Sequence, residues 1–122
     1  MKRLTVQHVK QLHTLLLQET GGLDGVRDEG LLDSAVNSPF QTFNNLPLYP
    51  TIEAKAARLG YGLIKNHAFV DGNKRIGMLA MLTFLELNGA GREYSDEEII
   101  RVGLAIAAGS MDDIALLHWI LG

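Results

Sequence analysis

"KRIGMLAMLTFLELNG", Lys74 to Gly89, is apolar on almost every side when wound at helical pitch, and Asn88 and Gly89 supply its stop. A surface helix keeps one polar face, so a helix that is apolar all round has to be enclosed by other elements. Its charge-free part, Ile76 to Leu85, is well short of the roughly 20 residues that cross a bilayer. The expectation is a buried central helix with the rest of the chain packed around it.

The neighbouring segments have the periodicity to do this. Val6, Val9, Leu12 and Leu16 recur at helical spacing behind Thr5, with Gly21 and Gly22 as a stop. "DEGLLDSAVNSP" sets Asp28 as N-cap before Leu31, Leu32, Ala35 and Val36 and ends before Pro39. Thr51 caps a helix from Ile52 to about Lys65 that turns Ala56, Leu59, Leu63 and Ile64 inward; Gly60 and Gly62 within it read as small-residue helix packing. Ser95 and Glu98 have capping-box spacing before "IIRVGLAIAAG", and Ser110 opens a last helix with Leu116, Leu117, Trp119 and Ile120. "FNNLPLYP", Phe43 to Pro50, carries two prolines and two asparagines but also Leu46, Leu48 and Tyr49, which makes it a loop or a small extended flap. The predicted fold is all-α: a compact single-domain helical bundle over residues 1–122, with about six to seven helices and a short flap before the fourth.

Composition narrows the function. A chain of 122 residues suits one domain, and 47% hydrophobic with 20% charged residues argues against disorder. The net charge of -3 sets up no field that would draw nucleic acid or an anionic membrane, so neither is an expected partner. The absence of cysteine removes disulfides, thiolate zinc sites and thiol nucleophiles, and suits a reducing compartment. With no apolar h-region after Lys2 and Arg3, the expected location is the cytoplasm.

The chemistry is concentrated just before the central helix, in "NHAFVDGNKRIG", Asn66 to Gly77. Taken singly, each residue fits a helix-loop-helix corner in which Phe69 anchors the loop, Asp71 and Asn73 cap the next helix and the two cations are solvated. Taken together they suggest more. Gly72 permits a tight turn, and a helix starting near Asn73 points its free N–H groups and positive dipole end at the loop, which makes an anion site. Lys74 and Arg75 stand where cations oppose that dipole, a conflict that a bound anion resolves; Arg75 grips phosphate as a planar fork and Lys74 adds a mobile charge. Asp71 is a carboxylate of the kind that holds magnesium together with substrate phosphates, and an imidazole such as His67 takes a proton near neutral pH. A base, a metal ligand and an anion clamp point to phosphoryl or nucleotidyl transfer. The remaining histidines, His8, His13 and His118, read as core-edge or surface packing; the first two are about 500° apart around a helix and share no zinc-binding face.

"HAFVDGNKR" resembles the signature of the Fic/Doc superfamily, H-x-F-x-[D/E]-[G/A]-N-[G/K]-R, in the lysine form of its Doc (death on curing) toxin branch. "TGGLDGVRDEGLLDSAVNSPFQTF", "EAKAARLGYGLIKNH" and "LTFLELNG" also look like family segments, so the resemblance covers roughly residues 4 to 120. It implies a bundle of the Fic type, with ATP as substrate and magnesium. His67 would be the general base, Asp71 the metal ligand, Gly72 the point of close backbone approach, and Asn73, Lys74 and Arg75 the phosphate contacts, with Arg75 also catalytic. Arg27 and Asp28 would line the same cleft or serve as caps. The flap around Leu46, Leu48 and Tyr49 would dock a target segment or close the core.

Relatives that transfer AMP usually carry Gly at the place of Lys74 and a second Arg at the place of Met78. The lysine form instead implies a kinase that moves the ATP γ-phosphate to a threonine of a translation factor, elongation factor Tu by resemblance, and so arrests translation. AMP transfer and a non-catalytic binding module are the alternatives. The family's inhibitory pattern [S/T]-x-x-x-E-[G/N] has no match; the nearest, Thr20 to Gly25, has Asp24 in place of Glu. Restraint is therefore expected from another chain, a Phd-like antitoxin whose amphipathic segment folds into an apolar groove.

Overall fold

Side-chain caps start five of the six α-helices of the computed structural model, which describes residues 1–122. Thr5 starts α1 (Val6–Thr20), its hydroxyl accepting from the His8 N–H while the His8 ring accepts from the Thr5 N–H. Asp28 starts α2 (Glu29–Asn37), which runs into a 3-10 turn at Ser38–Phe40 with Pro39 inside it. Thr51 starts α3 (Ile52–Asn66), Ser95 starts α5 (Asp96–Ala108), and Asp112 starts α6 (Asp113–Leu121). The cap expected at Ser110 is thus displaced: its hydroxyl donates instead to the Ala105 carbonyl at the end of α5. The capping box at Ser95 is only half made, because the Glu98 carboxylate accepts from the Trp119 indole N–H at 3.4 Å.

The helix with no side-chain cap is α4 (Asn73–Leu87), the one apolar all round. It runs through the middle of the bundle, packed against α1, α3 and α5, while α3 also packs on α2 and α6. Ile76, Met81, Phe84 and Leu85 of α4 are buried in one continuous core with Leu59 and Leu63 of α3, Val102 and Ile106 of α5, and Leu116 and Ile120 of α6. Glycines let α3 and α4 pack closely. A Cβ on Gly77 would stand 2.5 Å from Ile64 Cγ1 and 3.0 Å from the Gly60 carbonyl oxygen, so the helices could not approach as they do. Gly62, on another face of α3, lies against Ala35 of α2, as small-residue packing requires.

The flap is a two-stranded antiparallel hairpin, β1 (Thr42–Phe43) and β2 (Leu46–Pro47), pairing Thr42 with Pro47 and Phe43 with Leu46. Asn44 and Asn45 turn it, both at positive φ as a tight hairpin turn demands. It precedes α3, so it stands before the fourth helical element when the 3-10 turn is counted. Phe43, Leu46 and Leu48 are each at least half exposed, which removes core closure as the reason for their apolar character. Buried Lys55 donates to the Tyr49 carbonyl and ties down the base of the flap. No helix is long and apolar enough to cross a membrane.

Candidate active site

The loop from His67 to Gly72 is knitted to the segment that leads into α2. Arg27 and Asp28 N–H groups both donate to the Ala68 carbonyl, at 2.7 and 3.1 Å, and the Val70 N–H donates to Gly25 at 3.0 Å. The Arg27 guanidinium donates to the carbonyls of His67 (2.8 Å) and Asn66 (3.2 Å), capping the end of α3 directly behind the histidine. Arg27 and Asp28 are therefore caps, and neither lines the cleft. His67 itself is exposed and left-handed, with φ 51° and ψ 48°, a conformation usually left to Gly or Asn at a helix end. Phe69 is 1% exposed and holds the middle of the loop in the core.

Gly72, also left-handed, precedes α4 and offers no side-chain acceptor, so the first-turn N–H groups of that helix have none. In front of them lies a cavity of about 340 Å³ lined by His67, Asp71, Gly72, Asn73, Lys74 and Arg75, with Ile64, Val70 and Ala107 completing its wall. All six residues singled out around the expected transfer chemistry meet there; Leu46, Leu48 and Tyr49 of the flap are not part of its lining. Lys74 is exposed and has no ion-pair partner. Arg75 donates to the Thr20 hydroxyl and to the Gly21 carbonyl (3.0 Å), and its Nη2 lies 3.7 Å from Asp71 Oδ1. Asp71 accepts one main-chain N–H on each carboxylate oxygen, from Leu23 at 3.2 Å and Gly72 at 2.8 Å. Those two bonds, Leu23 first, hold its carboxyl below the ordinary carboxylate range.

Asn73 departs from expectation. Its carboxamide is buried and spans Phe69, accepting from the N–H and donating to the carbonyl, both at 3.0 Å. The side chain therefore shapes the loop, and what Asn73 retains for an anion is its main-chain N–H. Neither Asp71 nor Asn73 caps α4.

The Fic/DOC family model matches residues 3–85, the stretch from before α1 almost to the end of α4. The chain belongs to the Fic/DOC family. Among curated proteins it is similar to Toxin Doc of Mycolicibacterium smegmatis (strain ATCC 700084 / mc(2)155), 51% identical over 69 residues that make up 57% of this chain. Those residues are 53% of the relative, so the matched part spans about half the length of that protein.

Two residues of this Fic/DOC site play parts that the sequence did not suggest, Gly22 having read only as a helix stop and His13 as core-edge or surface packing. The first is Gly22, at φ 119°: a Cβ there would stand 2.6 Å from Asp71 Oδ2, so glycine lets the Gly-rich turn close against the carboxylate. The second is His13, fully buried with Nε2 2.7 Å from the Asp71 carbonyl oxygen and Nδ1 3.1 Å from Asp24 Oδ1. The spacing Val9, His13, Leu17, each four residues on, was the available signal; those three residues, and not Leu12 or Leu16, form the buried stripe of α1. His8 and His118 are exposed, as surface packing requires.

A second cavity of this Fic/DOC chain, about 320 Å³, adjoins the first. It is an apolar groove between α1, α4 and α5, lined by Leu16, Met78, Leu82, Ile99, Ile100 and Leu104, with Lys74 and Arg75 at the end it shares with the first cavity.

Proposed function

We propose that this chain is a toxin that transfers the γ-phosphoryl group of ATP to a threonine hydroxyl of a translation factor, elongation factor Tu by resemblance, and that an antitoxin restrains it. The observation that carries the enzymatic reading is the single cavity in which an exposed imidazole, a carboxylate and two cations surround the uncapped start of α4. The His67 imidazole takes the proton of the attacking hydroxyl while its oxygen bonds to the γ-phosphorus and the bond to the β,γ-bridging oxygen breaks, leaving ADP. Arg75, Lys74 and the first N–H groups of α4 offset the charge that develops on the phosphoryl oxygens.

Asp71 is the one carboxylate in the cavity, its side chain is 45% exposed, and each oxygen has a lone pair beyond its main-chain bond. That donor set fits magnesium arriving on nucleotide phosphates, which keeps waters and takes few protein ligands; it does not make a closed protein cage. Magnesium bound there would neutralise phosphate charge.

The branch of chemistry rests on Lys74 and Met78. Met78 is buried beside Gly103 of α5, so a second arginine at that position would have to bury its stem between α4 and α5. ATP labelled separately at the α and γ positions, incubated with the protein and a bacterial lysate, tests the reading. Label is expected on protein from the γ position alone; transfer of α-label as intact AMP would overturn the kinase in favour of adenylyl transfer, and no label from either would favour a binding module.

The apolar groove is the proposed seat of a Phd-like antitoxin segment, an amphipathic helix whose apolar side meets half-exposed Ile100 and Leu104 and whose acidic groups reach Lys74 and Arg75. Co-expressed with the small open reading frame beside its gene, the chain should copurify with that product. Paired Ile100→Asp and Leu104→Asp changes should weaken the complex at least about 10-fold, since each buries a charge against an apolar face. Unchanged affinity would remove the groove from the proposal.

A further inference from the structure

We propose that His13, outside the signature loop, is a positioning residue of the transfer site that sets the orientation of the Asp71 carboxylate. The inference rests on the transfer reading above and adds to it a residue from α1.

The Asp71 carbonyl and the Gly72 N–H belong to one rigid peptide plane. His13 Nε2 holds the carbonyl side of that plane at 2.7 Å, and the N–H side donates to Asp71 Oδ1 at 2.8 Å. Turning the plane would therefore move the carboxylate and the lead into α4 together. The ring is itself immobilised on three sides. Its Nδ1 faces Asp24 Oδ1 at 3.1 Å, Asp24 is in turn held by the Thr14 hydroxyl (2.9 Å) and the Gly25 N–H (2.8 Å), and the ring stacks on Phe69 with centroids 3.9 Å apart and planes at 14°. The two ring nitrogens thus face a carboxylate oxygen on one side and a main-chain carbonyl oxygen on the other. Packing alone does not call for this. A leucine would fill the gap between Val9 and Leu17 without the cost of burying two polar atoms. What leucine lacks is the bond to Asp71.

His13→Leu and His13→Gln separate the two roles, because the Gln amide can present an N–H where Nε2 stands. In His13→Leu, kcat should fall by roughly 10–100-fold with the KM for Mg·ATP within about threefold, since loss of position rather than of phosphate contacts is involved. His13→Gln should recover most of the rate. Amide exchange at Gly72 and Val70 should quicken in His13→Leu and return toward wild type in His13→Gln, with Leu63 and Phe84 unchanged in both. Equal losses in the two variants, or a loss carried by KM alone, would overturn the assignment and leave a packing role. If His13→Leu does not fold, His13→Asn takes its place: its amide reaches toward Asp24 only, and a rate matching His13→Gln would count against the proposal. A wild-type protein that transfers nothing from ATP would sink the enzymatic reading instead. Gly72 exchange then decides His13 by itself, and equal exchange in the Leu and Gln variants overturns it.

Discussion

His67→Asn protein should fold like wild type and still bind Mg·ATP, yet transfer phosphoryl groups roughly 10²–10⁴ more slowly, the usual worth of a positioned general base. Asparagine is the better replacement because position 67 is left-handed, which Asn tolerates and Ala does not. Alanine has no polar side chain to bond locally, enters that region less readily than Asn and would blur the result. The imidazole is exposed, and the main chain behind it is held by Arg27 through carbonyl oxygens that every residue has, so removing the ring leaves those bonds in place. Single-turnover transfer from γ-labelled ATP, with a melting curve for each protein, makes the measurement. A well-folded His67→Asn protein at wild-type rate would show that another group takes the proton.

The largest stability effect is expected at Phe69. Truncating a buried Phe to Ala costs about 3–5 kcal/mol, out of the roughly 5–15 kcal/mol that holds a domain together. Phe69 is 1% exposed, lies face to face with His13, and has its main chain clasped by the Asn73 carboxamide. Phe69→Ala should lower the melting temperature by roughly 10–20 °C. Transfer should fall even in the fraction that stays folded, because the same cavity releases the ring that holds Asp71. Phe69→Leu, which refills much of the volume, should recover most of the stability. A Phe69→Ala protein melting within a few degrees of wild type would mean that the main-chain bonds of Ala68 and Val70, with the Asn73 carboxamide, hold the loop unaided.

The signature loop was legible because its chemistry is contiguous. His67, Asp71 and Arg75 lie within nine residues, and one helix end, one glycine turn and one helix start suffice to gather them around a cavity. The supporting groups were not, because they come from elsewhere in the chain. Arg27 lies 40 residues from the carbonyl it braces and His13 lies 58 from the one it holds. Asn73 was assigned to phosphate by the family resemblance, but a carboxamide bonds whichever backbone it meets first. That backbone is Phe69, four residues back.

Helix boundaries, the central place of α4 and the family could be settled from residues alone, since caps act over three residues, amphipathic stripes over a few turns, and the signature within one loop. Ser110 shows the limit even there: several polar residues in a row can each cap, and the one that does depends on how the chain leaves α5. Which side of α1 is buried, whether the flap closes a core or stands free, and which glycine admits the Asp71 carboxylate were decided only by tertiary structure. Val9, His13 and Leu17 face inward because the loops carrying Asp24 and Asp71 lie against that side of the helix, and a stripe on one helix does not encode what comes to lie against it. Gly22 is needed because a carboxylate 49 residues later approaches where its Cβ would be, a steric fact that exists only after the two segments have met.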